Sequence, residues 1–126
     1  MIYLDTSAIV KLFNDEAESG AIRQFLSTQE DALASSIVTE IEVRRVATRH
    51  GHSQEVASSV LASLSLLEVN RELCTQAGLL PGPAMRSLDA LHVATAVRVR
   101  AAAFVTYDDR QAEAARVNGL DVKSPS

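Results

Sequence analysis

The sequence predicts an α/β fold, a mostly parallel central sheet with helices on both faces, in one domain spanning residues 1–126. Two observations carry this. Short apolar runs alternate with stretches of helical periodicity along the whole chain, and no repeat, low-complexity tract or linker divides it. Strands separated by helices return through crossovers, which makes neighbours parallel and covers both faces of the sheet. A chain of 126 residues is long enough for one hydrophobic core and not for two.

The elements follow in order. Residues 2–5 form a short buried strand that stops at an acid. Thr6 and Ser7 are suited to cap the helix beginning there, which carries Ile9, Val10, Leu12 and Phe13. A second helix covers residues 17–27, with Ile22, Phe25 and Leu26 inward. A weak strand at residues 31–35 precedes a helix over 37–50, stopped by Gly51. Residues 53–65 read as a helix with Ser53 as N-cap and Val56, Val60, Leu61 and Leu64 at helical spacing. A strand at 66–69 and a helix over 71–80 lead into a loop at Pro81, Gly82 and Pro83. The most apolar helix covers 87–100, and a buried strand at 102–106 runs into Tyr107 and Asp108. The last helix covers 109–118, closed by Gly119, and residues 120–122 form a final short strand. In such folds the site lies at the carboxyl ends of the strands.

Hydrophobic residues make up 47% of the chain but aromatics only 4%, with no Trp, so the core must consist mostly of Ala, Val, Leu and Ile. Charged residues at 22% beside that apolar content indicate a globular chain rather than a disordered one. The net charge of −4 speaks at first against nucleic acid. If four of the 16 acids gather around divalent cations, the other 12 balance the 12 Lys and Arg, and bound metal reverses the local sign. Cys74 is the lone cysteine, which rules out an intramolecular disulfide and fits a reducing cytoplasm. The opening MIYLD has no basic leader, and no run approaches the roughly 18 apolar residues of a membrane span. The expectation is a cytoplasmic protein without membrane partners.

Four acids stand where a carboxylate is costly or oddly placed. Asp5 ends the first strand, where a helix cap or turn residue is the plain alternative. Glu40 shares a helix face with Ile37, Val43 and Ala47, and its plain alternative is a surface pair with Arg44 at i,i+4. Asp89 lies in the first turn of the most apolar helix, on a face with His92, Val93 and Ala96, where it also suits the helix dipole. Asp108 follows the strand AAFVTY and can cap the last helix, with Gln111 completing a capping box. Together they converge: Asp5 and Asp108 end strands on one rim of a parallel sheet, and Glu40 and Asp89 begin helices that face it. Two carboxylates 4 Å apart repel by roughly 4 kcal/mol at an effective dielectric near 20, so the cluster needs protons or cations. Oxygen ligands without Cys or an obvious His set suit Mg²⁺ or Mn²⁺ over Zn²⁺. His92 reads as contacting substrate, orienting a carboxylate, or simply satisfied by a neighbour. Arg44, Arg45 and Arg49 read either as phosphate contacts or as a solvated face.

These residues resemble the PIN-domain family, in its VapC-like branch. The matching pieces are YLDTSAIVKLF, SSIVTEIEV, MRSLDALHVATAV and FVTYDDRQAEAARVNGLDV, in order and spanning nearly the whole chain. The resemblance implies a Rossmann-like three-layer α/β/α domain whose catalytic, metal-binding acids are Asp5, Glu40, Asp89 and Asp108. Around them it implies supporting contacts from Thr106, Asp109 and Thr6. It further implies a Mg²⁺- or Mn²⁺-dependent ribonuclease, a toxin that hydrolyses RNA with metal-activated water, leaving 5′-phosphate and 3′-hydroxyl ends. The implied partners are an RNA substrate, a cognate VapB-like antitoxin and a second copy in a homodimer. The alternatives are a housekeeping PIN-type RNA-processing nuclease and a PIN-like module that binds RNA or protein without cutting. A phosphoaspartate enzyme of the haloacid-dehalogenase pattern wants an acid where Ser7 stands, a receiver domain wants an early acidic pair and a late Lys, and no GxxxxGK[ST] or GxGxxG occurs.

Overall fold

The computed structural model describes residues 1–82 and 85–126. The strands are β1 (Ile2–Leu4), β2 (Leu33–Ser36), β3 (Ser65–Leu67), β4 (Ala103–Val105) and β5 (Val122–Lys123). The helices are α1 (Thr6–Val10), α2 (Ser19–Ser27), α3 (Val38–Arg49), α4 (Gln54–Ala62), α5 (Arg71–Gly78), α6 (Ser87–Arg98) and α7 (Asp109–Val117). The sheet order is β3-β2-β1-β4-β5 and every pairing is parallel, so the expected mostly parallel sheet is parallel throughout.

That order fixes where a site can form. From β1 the chain moves outward to β2 and β3, then crosses back to place β4 on the other side of β1. The direction of winding reverses between β1 and β4, and at such a switch point the loops diverge and leave a crevice beyond the carboxyl ends of the strands. Leu4 pairs with Val105, so the next residue of each strand, Asp5 and Thr106, stands at the rim of that crevice.

The period-two alternation of the central strands divides the core. Ile2 and Leu4 of β1 join Val105, Ile9, Ile22, Val43, Ala47 and Leu61 on one face. Tyr3 and Phe104 point the other way, onto Val93 and Ala96 of α6 and Ala114 and Ala115 of α7. Helix α5 packs outside α6 through Leu73, Ala77, Leu91 and Ala94. None of the described helices is long and apolar enough to cross a membrane.

Several boundaries differ from expectation. Asp5, rather than Thr6 or Ser7, is the N-cap of α1, accepting the Ala8 N–H at 3.1 Å. Strand and helix therefore meet with no loop between them, and α1 ends at Val10, short of Leu12 and Phe13. Helix α2 begins at Ser19, two residues late, while β2 runs one residue further, to Ser36. Helix α4 stops at Ala62 and β3 starts at Ser65, one residue early. Helix α6 stops at Arg98 because Arg100 adopts φ 52°, the left-handed conformation that closes a helix. Ser53 caps α4 and Gly51 ends the preceding helix at φ 74°, as expected. Of the loop expected at Pro81, Gly82 and Pro83, Pro83 lies outside the described residues.

Candidate functional site

Asp5 is 4% exposed, and its position follows from β1 being the central strand. Its Oδ1 accepts from Ser7 Oγ at 2.7 Å and from the Ala8 N–H, and its Oδ2 accepts from Thr106 Oγ1 at 2.5 Å. Burial pushes the Asp5 carboxyl above its ordinary value, only partly offset by His92 and these three donors. No Lys or Arg among the described residues forms an ion pair with it. A carboxylate this buried, hydrogen-bonded yet lacking a cationic partner, retains a demand for positive charge.

The second acid at this place is Glu42, on α3. Its Oε1 accepts from Thr6 Oγ1 at 2.8 Å and lies 3.1 Å from His92 Nε2. Burial alone would raise the Glu42 carboxyl; its contacts with His92 and Thr6, the hydrogen bonds above all, outweigh it and hold the group below its ordinary value. His92 is buried on α6, with Nδ1 2.7 Å from the Tyr3 hydroxyl. The rim thus gathers Asp5 and Thr6 from the β1–α1 junction, Glu42 from α3, His92 from α6 and Thr106 from the end of β4.

The other expected acids are placed differently. Glu40 pairs with Arg44 at 3.0 Å, and Arg44 continues to Gln54 and Ser58 of α4 at 3.1 Å each. Two residues apart on a helix means about 200° of rotation, so Glu40 and Glu42 flank the buried stripe of Thr39, Val43 and Ala47 on opposite sides. Glu40 fastens α3 to α4, while Glu42 faces Asp5's neighbour Thr6. Asp89 is half-buried one helical turn before His92, and its Oδ2 accepts the Arg86 N–H at 3.2 Å. Asp108 is exposed and caps α7, its Oδ1 accepting from Arg110 N–H at 2.9 Å and Gln111 N–H at 3.1 Å. Its own N–H donates to Thr106 Oγ1 at 3.1 Å, so one hydroxyl ties Asp108 to Asp5. The return half of the expected capping box is missing: Gln111 Oε1 is buried without a partner among the described residues. Asp109 is exposed in the first turn of α7. Thr6 and Thr106 touch Glu42 and Asp5 respectively.

Among the described residues no three Asp, Glu, His or Cys side chains converge tightly enough to hold a metal ion. The partners the four expected acids do have are local: Glu40 pairs with Arg44, Asp89 accepts the Arg86 N–H, and Asp108 accepts the Arg110 and Gln111 N–H groups while sharing the Thr106 hydroxyl with Asp5. The donor chemistry nonetheless fits a hard divalent cation. Asp5 and Glu42 offer oxygen, and Mg²⁺ is commonly held by only one or two carboxylates with water and substrate phosphate completing its shell.

Glu42, Ser7 and Tyr3 were not legible as site residues. One signal was available for Glu42: Glu40 has Arg44 at i+4, whereas Glu42 has Val46 there and so no cation within its own helix to pair with at that spacing. Of the three arginines, Arg44 is engaged with α4, and Arg45 and Arg49 are exposed.

Residues 2–117 match the PIN domain family. The chain is 39% identical to Ribonuclease VapC46 of Mycobacterium tuberculosis over 127 residues, covering 99% of this chain and 98% of that protein. It is also 39% identical to Ribonuclease VapC35 of the same organism over 131 residues, covering 99% and 97%. The fold is shared with the crystal structure of M. tuberculosis VapC20, a sarcin–ricin loop cleaving toxin, at TM-score 0.77 and 19% identity over the full length of both chains. It is shared equally with a toxin–antitoxin complex from Klebsiella pneumoniae, at TM-score 0.77 and 19% identity over 100% of this chain and 98% of that one.

Proposed function

This chain belongs to the PIN-domain family, and on that premise we propose that it is a metal-dependent endoribonuclease, the toxin of a VapBC-type pair. The observation that carries the catalytic reading is the placement of buried Asp5 at the switch point between β1 and β4, with Glu42 hydrogen-bonded to the adjoining Thr6. Ser7, Thr106 and the Ala8 N–H aim three donors at Asp5, and His92 and Thr6 aim two at Glu42, so both carboxylates are held in fixed orientations. Asp5 and Glu42 would hold Mg²⁺ or Mn²⁺, with Asp89 and Asp108 on the same rim available to outer water. When bound, such a metal polarises a phosphodiester oxygen and lowers the pKa of a water.

The remaining side chains favour water as the nucleophile. The Ser7 hydroxyl donates to Asp5 and accepts the Tyr107 N–H at 2.9 Å, and both ring nitrogens of His92 are engaged. Neither is free to attack a phosphate or to act as one half of an acid–base pair. Digestion of a sensitive RNA with Mg²⁺ is expected to leave 5′-phosphate and 3′-hydroxyl ends and to stop in excess EDTA. Cyclic phosphate ends, or undiminished cutting in EDTA, would overturn the proposal.

Metal binding should also appear without substrate. At a hundredfold excess over its dissociation constant, Mn²⁺ or Mg²⁺ should stabilise the fold by about 2.7 kcal/mol. In thermal melts the Asp5→Asn variant should lose that shift. An equal shift in wild type and variant would remove Asp5 from the site.

The toxin role rests on the relatives' names and on the toxin–antitoxin complex among the structural neighbours. The proposed partner is a VapB-like antitoxin. Induction of this chain alone should arrest growth, and co-expression of its neighbouring antitoxin gene should restore it.

A further inference from the structure

The structure assigns Tyr3 and His92 a positioning role: through a hydrogen-bonded chain from Tyr3 to His92 to Glu42, they fix the tautomer of the imidazole and lock the Glu42 carboxylate by Oε1, leaving Oε2 for a cation or its water. The inference rests on the reading of Glu42 as one of the metal-holding acids.

The argument starts from what each group can do. An ionised carboxylate only accepts, so the bond between Glu42 Oε1 and His92 Nε2 requires the proton on Nε2. In the neutral ring Nδ1 is then bare and must accept. The group facing it at 2.7 Å is the Tyr3 hydroxyl, which can donate. The opposite tautomer would set a bare Nε2 against a carboxylate oxygen, lone pair to lone pair.

The chain is anchored at its far end. Tyr3 is 0% exposed in the middle of the central strand, and its ring stacks on Phe104 with centroids 5.3 Å apart and planes 8° from parallel. The imidazole meets that ring edge-on, at 5.8 Å and 73°. Neither ring can turn without opening the core on the α6 side of the sheet. Thr6 Oγ1 donates to the same Oε1, so both bonds to Glu42 fall on one oxygen and among the described residues Oε2 accepts none. Partners that orient a metal-binding group in this way are worth about 10- to 100-fold in metal affinity.

Two measurements on the full chain test this. Long-range ¹H–¹⁵N spectra of the metal-free protein should show His92 protonated at Nε2 and bare at Nδ1; the reverse pattern overturns the assignment whatever the metal does. Mn²⁺ titration calorimetry should then show Tyr3→Phe binding about 10-fold or more weakly than wild type. His92→Gln, whose amide can still donate to Glu42, should retain more affinity than His92→Leu. Unchanged affinity in Tyr3→Phe and His92→Leu, with affinity lost in Glu42→Gln, overturns the positioning role and spares the metal reading. Unchanged affinity in Glu42→Gln removes Glu42 from the metal site and the positioning role with it.

Discussion

Glu42→Gln should lower RNA cleavage by about 10³-fold, while Glu40→Gln leaves it within about twofold. The two substitutions remove the same charge from the same helix two residues apart, so the contrast isolates position. At Glu42 the change removes an anion whose Oε1 is held by Thr6 and His92 beside Asp5. The amide keeps one acceptor for those donors, so the fold should survive. At Glu40 the change removes half of a partly exposed i,i+4 ion pair, and Arg44 retains Gln54 and Ser58. Such pairs are worth roughly 0.3–0.5 kcal/mol, and the cleavage site does not depend on this one. Initial cleavage rates with Mg²⁺, beside thermal melts of both variants, make the comparison. A Glu40→Gln enzyme slower than Glu42→Gln would reverse the assignment.

That contrast also marks where the sequence stops being readable. Asp5 was visible as an acid ending a buried strand, where a helix cap or turn residue was the plain alternative until the other acids were set beside it, and the parallel sheet then brings Thr106 next to it by register alone. Helix α3 offers no comparable anomaly. Both of its acids border the stripe of Thr39, Val43 and Ala47, and the segment SSIVTEIEV that carries the family resemblance contains both. Which flank faces the rim depends on how α3 crosses α1, a tertiary fact that periodicity does not encode. Asp89 and Asp108 show a different limit. A helix that begins at the rim has its first turn there too, so a carboxylate that binds backbone N–H groups at the helix start, as Asp89 does for Arg86 and Asp108 for Arg110 and Gln111, also stands near that rim. The sequence could list both roles and could not separate them. The pairing of Tyr3 with His92 was hidden for a simpler reason: 89 residues separate two side chains that meet only across the sheet–helix interface.

Phe104→Ala should cost about 3–5 kcal/mol, a large share of the roughly 5–15 kcal/mol that holds a domain together. Few aromatics occur in this chain, and Phe104 is 0% exposed in β4, stacked on Tyr3 and packed with Val93, Ala96, Ala114 and Ala115. Its neighbours across the layer are mostly alanines, which are too short to close the space left by a lost ring, so the cavity term adds to the lost burial. Phe104→Leu keeps more of the volume and should cost clearly less. Tyr3→Phe leaves the stack intact and removes only the hydroxyl facing His92 Nδ1, for about 1–3 kcal/mol from one buried group left without its partner. Urea denaturation reads all three, with an unchanged slope expected for each because the folded state stays compact. The order of loss should be Phe104→Ala first and Tyr3→Phe well behind. A Phe104→Ala protein within about 1 kcal/mol of wild type would mean that α6 and α7 can collapse onto β4 without the ring. The Tyr3–Phe104 stack would then no longer account for the fixed position of His92.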